Sequence, residues 1–208
     1  MDHKLVIGEL VGTYVHLEPL SLARVEELAF AVSLDRSTYQ YTQVPSGLED
    51  VNKYVRDLLD DWNAGKVVPF VQVNNASREA VGVTRLMTLR YRDDEALPFA
   101  VEIGGTWLGQ GAQRSGINTE AKYLLLRYAF EEWGVARVDL KTDARNARSW
   151  SAIERIGATF EGVLRNWQPS LVTGEETQYR DSAIFSITSD EWPEVRRHLE
   201  TLLAGHAS

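Results

Sequence analysis

The 208-residue chain contains no cysteine, which excludes disulfides, thiolate metal sites and a cysteine nucleophile together. Any thiol in its chemistry has to arrive on another molecule. The four histidines, His3, His16, His198 and His206, include no pair four residues apart and no His-Glu-x-x-His run, so no metal site is expected. A Gly-x-Ser-x-Gly elbow is also missing, and a serine hydrolase of the α/β type is left without a nucleophile. No stretch approaches the roughly 18 apolar residues of a bilayer span, and the first residues lack the basic start and apolar run of an export signal. A cytoplasmic location without a membrane partner is the expectation. The formal net charge of -8 repels phosphate backbones and disfavours general nucleic-acid binding. Repeats, low-complexity runs and long linkers are lacking too, so residues 1–208 read as one domain.

What is present alternates between helical and strand periodicity. Residues 13–18 suggest a short strand, and Ser21 opens a helix with Leu22, Val25, Leu28, Ala29 and Val32 at helical spacing. Ser46 and Glu49 suggest a capping box for a second helix, whose stripe Leu48, Val51, Val55, Leu58 and Trp62 runs to Gly65. Three strand-like runs follow between Lys66 and Gly109, with turns near Ser77 and at 93–95. In the third run, Phe99, Val101 and Ile103 share one face and Ala100 and Glu102 the other, until Gly104-Gly105 breaks the alternation and suggests a bulge or close backbone approach. A long helix from Gly116 to Trp133, apolar almost all round, stops at Gly134. A strand over 137–142, a helix from Asn146 to Ile156 ending at Gly157, and two strands flanking Thr173-Gly174 come next. Thr188, Glu191 and Pro193 mark a last helix with the stripe Trp192, Val195, Leu199 and Leu202. The sum is a mixed α/β (α+β) fold, with about seven strands in a mixed, mostly antiparallel sheet flanked by helices.

The segment Gly109 to Glu120 joins a strand to a helix and is rich in glycine and small polar residues, so several backbone N–H groups converge at a positive helix end suited to a phosphate. Arg114 adds a charge. A P-loop fails because Ile117-Asn118 stand where Lys and Ser or Thr are needed, and the dinucleotide fingerprint fails because its third glycine would fall at Arg114. A glycine-rich loop without a ligand stays open. The basic residues Arg137, Lys141, Arg145, Arg148 and Arg155 form a cluster near this turn, suited to a small polyanion or simply to solvent.

The run Gln113-Arg114-Ser115-Gly116-Ile117-Asn118 resembles the Gln/Arg-x-x-Gly-x-Gly/Ala signature of the GNAT N-acetyltransferases, with Asn118 replacing the last small residue. EIGGTWL at 102–108 is similar to that family's splayed fourth strand, and Asn146 to Ser149, followed by Ile156-Gly157, to its cofactor-facing helix. The RimJ/RimL-type branch is the nearest match. The resemblance implies an acetyl-CoA cofactor, its pyrophosphate held by Gln113 to Thr119 (Gln113, Arg114, Ser115, Gly116, Ile117, Asn118, Thr119). Its pantetheine would lie along Ile103, Gly104, Gly105, Thr106 and Trp107, with Asn146 as an anchor. It implies transfer of an acetyl group to an amine acceptor, a protein N-terminus or a small molecule, and a homodimer.

Amine attack on a thioester requires a base, stabilisation of an oxyanion and a proton for the thiolate. Glu102, pointing off the apolar face, is the candidate base, or else a plain salt-bridge partner. The tyrosine that many family members use as acid is replaced by Ile153, and the resemblance implies Ser149 instead; it can equally be a helix hydroxyl bonded one turn back. Tyr39 and Tyr41 either wall the acceptor pocket or anchor their loop. Arg165, Trp167 and Asp181, with Arg180, are further acceptor-side candidates, acidic groups favouring a cationic amine. A non-catalytic acyl-CoA-binding module is the competing reading.

Overall fold

The computed structural model describes residues 4–93 and 95–206. His3, and Asp94 in the turn expected at 93–95, lie outside them. The chain runs β1 (Leu10–Val11), β2 (Val15–Pro19), α1 (Val25–Ser33), α2 (Gly47–Asn63), β3 (Val67–Asn74), β4 (Ala80–Arg90), β5 (Ala100–Leu108), α3 (Ile117–Arg127), β6 (Arg137–Asp143), α4 (Ala147–Arg155), β7 (Thr159–Pro169), β8 (Tyr179–Thr188) and α5 (Trp192–His206). The strands form one sheet in the order β1-β2-β3-β4-β5-β6-β8-β7, one strand more than the pattern of apolar runs predicts. The extra strand, β1, has only two residues, too short for periodicity to register.

Helix ends follow the expected glycines, with φ of +72° at Gly65, +64° at Gly134 and +90° at Gly157, the left-handed conformation that closes a helix at least strain. The long helix is not uniform: α3 passes into a π-helical turn at Tyr128–Glu132 before Gly134. Ser46 makes no side-chain cap to α2, so the expected capping box does not form. At the start of α5 half of the box is present, Glu191 Oε2 accepting from the Thr188 amide at 2.8 Å.

Each face of the sheet carries its own core. Leu28 and Val32 of α1 and Val51, Val55 and Leu58 of α2 pack on Val71, Val73, Val83 and Trp107. On the other face Leu124, Leu125, Trp192 and Leu199, from α3 and α5, pack on Phe70, Leu86, Val101, Ile103, Leu140 and Phe185. A buried carboxylate fixes α3 against the sheet, Glu120 accepting from the amides of Thr13, Tyr14 and Val15 at 2.7, 2.6 and 2.8 Å. Those donors would otherwise be orphaned at the start of β2.

The feature that positions the site is a split between two neighbouring strands. β5 pairs in parallel with β6 only at Ala100, Val101 and Glu102, opposite Arg137, Val138 and Asp139. Beyond that β6 follows β8 through to Asp143 opposite Ser182, while β5 stays with β4 through to Leu108 opposite Gly82. The β6-facing backbone edge of β5 from Ile103 onwards is thus left open.

Candidate active site

β5 carries a bulge where Gly104-Gly105 suggested one. Val83 pairs with Trp107 and Arg85 with Gly104, so the single residue Thr84 opposes Gly105 and Thr106. Gly105 adopts φ +56°, and a Cβ there would stand 2.5 Å from Arg85 Nε. The bulge brings Thr106 Oγ1 within 2.8 Å of Thr84 Oγ1 and 2.5 Å of Lys122 Nζ.

The split opens into a cavity of about 570 Å³ lined by the start of α3, the bulge, α4, Tyr39, Tyr41 and Arg180. At the α3 end, Arg114 adopts φ +59°, a conformation that turns successive amides to one side, as in anion-binding nests. The amides of Ser115, Gly116, Asn118 and Thr119 meet no acceptor among the described residues, and that of Ile117 takes Ser115 Oγ at 3.3 Å. Side chains of Gln113, Arg114, Ser115 and Asn118 line the cavity; those of Ile117 and Thr119 turn inward and are buried. Gly116 is needed for space, since a Cβ would sit 3.0 Å from the Tyr14 ring. Gln113 acts as a lock: Nε2 donates to Thr38 Oγ1 and the Leu108 carbonyl at 3.0 and 2.8 Å, and Oε1 accepts from Arg148 at 2.6 Å.

The basic cluster divides. Arg137 pairs with Asp139 and Glu161, Lys141 with Glu102, and Arg145 with Asp143 and Glu175. Arg148 and Arg155, like Arg114, have no carboxylate partner among the described residues and line the cavity beside the turn.

On the α4 wall, Asn146 caps its own helix, Oδ1 accepting from the Ser149 amide at 3.0 Å. Its Nδ2 remains to donate. Ser149 is half-buried, lines the cavity, and its hydroxyl makes no bond one turn back.

Glu102 is buried on β5, its Oε2 accepting from Thr88 Oγ1 at 3.0 Å and Lys141 Nζ at 3.3 Å. Oε1 lies 3.0 Å from where a Cβ on Gly104 would stand, inside the cavity. Tyr39 donates its hydroxyl to the Leu108 carbonyl at 2.9 Å, and burial pushes its phenol pKa up. Tyr41 lies under the Arg145 guanidinium at 5.2 Å. Both line the cavity.

Trp167 and Arg165 are exposed on β7; Trp167 reaches the site only through Lys141 Nζ, 5.8 Å from its ring. Asp181 is exposed and accepts from the Asn166 amide at 2.8 Å, while its neighbour Arg180 is buried and lines the cavity. Alternation along β8 sends the two to opposite faces. Arg85 and Lys122 also line the cavity and went unnoticed in the sequence. Burial pushes the Lys122 ammonium down to about 7. Among the described residues no group of three or more His, Asp or Glu could hold a metal ion, and no helix is long and apolar enough to cross a membrane.

Residues 15–159 match the family model of the acetyltransferase (GNAT) domain, and the chain belongs to that family. A GCN5-related N-acetyltransferase from Brucella melitensis superposes with a TM-score of 0.84 at 26% identity, covering 97% of this chain and 87% of its own. Two more distant structures share the fold. Mycobacterium smegmatis RimJ, in complex with CoA-disulfide, has a TM-score of 0.74 at 20% identity, with 96% and 92% covered. The microcin C7 self-immunity acetyltransferase MccE, in complex with acetyl-CoA and AMP, has 0.70 at 19%, with 85% and 93% covered. No curated protein sequence matches the chain significantly.

Proposed function

We propose that the protein is an acetyl-CoA-dependent N-acetyltransferase that acts by direct transfer to a primary amine, in a ternary complex within the split between β5 and β6. The observation that carries this reading is one continuous cavity lined both by phosphate chemistry at the turn and by a buried carboxylate. The donor set at the turn suits a pyrophosphate: unpaired amides at a helix start, with Arg114, Arg148 and Arg155 free of carboxylates. The open edge of β5 at Ile103 to Trp107 suits the pantetheine amides, and Asn146 Nδ2 is a donor across from it. When bound, acetyl-CoA supplies a thioester carbonyl as electrophile.

The chain's own groups then have separate tasks. Glu102 Oε1 takes the proton that the acceptor amine gives up, while Lys141 and Thr88 hold Oε2 and fix the carboxylate. An N–H on the open edge of β5 polarises the carbonyl oxygen. Ser149 Oγ, with no other bond among the described residues, gives a proton to the departing sulfur and takes one back from solvent. One C–N bond forms and one C–S bond breaks.

Calorimetric titration with acetyl-CoA and with dephosphorylated pantetheine, followed by thiol release against peptides and small amines, tests the assignment. Tight binding that requires the pyrophosphate is expected. Glu102→Gln is expected to lower kcat/KM by about 10²–10⁴, the range of general-base catalysis, with acetyl-CoA affinity retained. Absence of binding at millimolar acetyl-CoA removes the proposal, and full kcat/KM in Glu102→Gln across pH removes Glu102 from it.

A further inference from the structure

The sheet face under α1 and α2 carries a row of charges with one member on each of four neighbouring strands. Val83, Ala183 and Phe185 are core residues of opposite faces, and strand alternation from them puts Arg85 of β4, Glu102 of β5, Lys141 of β6 and Arg180 of β8 on this same face. All four line the cavity. Three cations therefore face one carboxylate, and the carboxylate is engaged by Lys141.

The remaining acids nearby do not redress the balance. Asp139 is held by Arg90 and Arg137, and Asp143 by Arg145 at 2.8 Å. Asp181 lies on the far side of β8.

Arg180 is only 7% exposed, and its one bond is from Nε to Ser182 Oγ at 3.2 Å. Its terminal nitrogens have no partner among the described residues. Burial pushes its pKa down, against the pull of Asp143 and Glu102. Arg85 makes no ion pair among the described residues, and its Nε is buried without a partner. A buried guanidinium with no anion in hydrogen-bond contact is costly to the fold, and such a group lining a cleft is a candidate for binding a ligand. The cofactor's phosphates have cations of their own at the turn, Arg114, Arg148 and Arg155, none of them held by a carboxylate among the described residues.

Resting on the acyltransferase reading, we infer that the acceptor carries an anionic oxygen group, carboxylate or phosphate, close to its amine. Arg180 and Arg85 hold that group from opposite walls of the split while Glu102 faces the amine. One stands on β4 and the other on β8, on either side of the split, and both line the one cavity between them. Peptide N-termini without such a group are then poor acceptors.

The test uses matched pairs at saturating acetyl-CoA: alanine against alaninamide, and phosphoethanolamine against ethanolamine. Thiol release is expected to show kcat/KM at least tenfold higher for the anionic member of one pair, the scale of a charge-assisted hydrogen bond. The pair that shows it distinguishes carboxylate from phosphate. Arg180→Gln and Arg85→Gln are each expected to lower that ratio at least tenfold, mainly through KM of the anionic member. Equal use of both members in both pairs, or a ratio unchanged in both variants, overturns the inference. If acetyl-CoA binds but no thiol is released, calorimetry with the same four compounds gives the reading. Anion-selective binding lost in Arg180→Gln upholds the inference, and unselective or absent binding overturns it. Failure of the acyltransferase reading shows separately, as absence of acetyl-CoA binding.

Discussion

Lys122 illustrates how burying one charged residue against the cavity costs the fold stability. Its Nζ reaches Thr106 Oγ1 at the bulge, and burial lowers its pKa from the usual 10.5 to about 7. In the unfolded chain the amine still binds a proton up to about pH 10.5, so between pH 7 and 10.5 the unfolded state holds more protons than the folded one. Stability then rises with pH across that window, and the penalty is fully present below pH 7. Lys122→Met, of similar volume, removes the penalty. Urea melts are expected to show the variant more stable than the parent by a few kcal/mol at pH 7, the difference closing towards pH 10.5. A constant difference across the window would mean that Lys122 titrates normally in the fold. The residue was in plain view in the sequence, beside Ala121 and ahead of Leu124, Leu125 and Leu126. What hid it is that a lysine on an apolar helix ordinarily runs its stem along the surface and keeps its head in water, and only packing decides otherwise.

At the scale of elements, the β5 bulge links the open edge of β5 to Arg85 of β4, because the glycine that makes the bulge also leaves room for Arg85. Gly105→Ala places a methyl 2.5 Å from Arg85 Nε in a backbone at φ +56°, where a Cβ costs about 1 kcal/mol before any clash. A drop in Tm of roughly 2–4 °C per kcal/mol is expected for a chain of this size. Part of the loss should disappear in a Gly105→Ala/Arg85→Ala double variant, since the clash needs both partners; strict additivity would mean that the guanidinium moves aside freely. This bulge was legible, as were the glycine helix stops, since both rest on backbone rules local to a few residues. The turn at 113–119 was legible for the same reason. The phase of β8 was not: Arg180 and Asp181 are adjacent and equally polar, and which one faces the cavity depends on register with β6 and β7. The Ser46 box failed because a capping pattern fixes residue types but not the rotamer that closes the bond.

Across the whole molecule the sheet divides into two parts, joined by a short strand seam and by the core under α3 and α5. The parallel register of β5 with β6 spans Ala100 to Glu102, and past it the cavity separates β1–β5, with the turn before α3, from β6–β8 and α4. A ligand lying in the split contacts both walls, so its binding energy adds directly to folding stability. At a hundredfold excess over Kd, acetyl-CoA contributes about 2.7 kcal/mol, or a rise in Tm of about 5–10 °C. Arg114→Gly separates the fold from this effect. Arg114 is exposed and holds φ +59°, a conformation that glycine adopts without strain, so the unliganded Tm is expected to stay level or rise by a few degrees. Loss of its charge-assisted contact, about 1.5–3 kcal/mol, weakens binding roughly 10- to 100-fold. At the same acetyl-CoA concentration about half of the ligand-induced shift should vanish for a 10-fold loss, and most of it for a 100-fold loss. Opposite movements of the two melting temperatures would place Arg114 on the pyrophosphate, whereas a full shift in the variant would leave the amides of the α3 start to bind it alone.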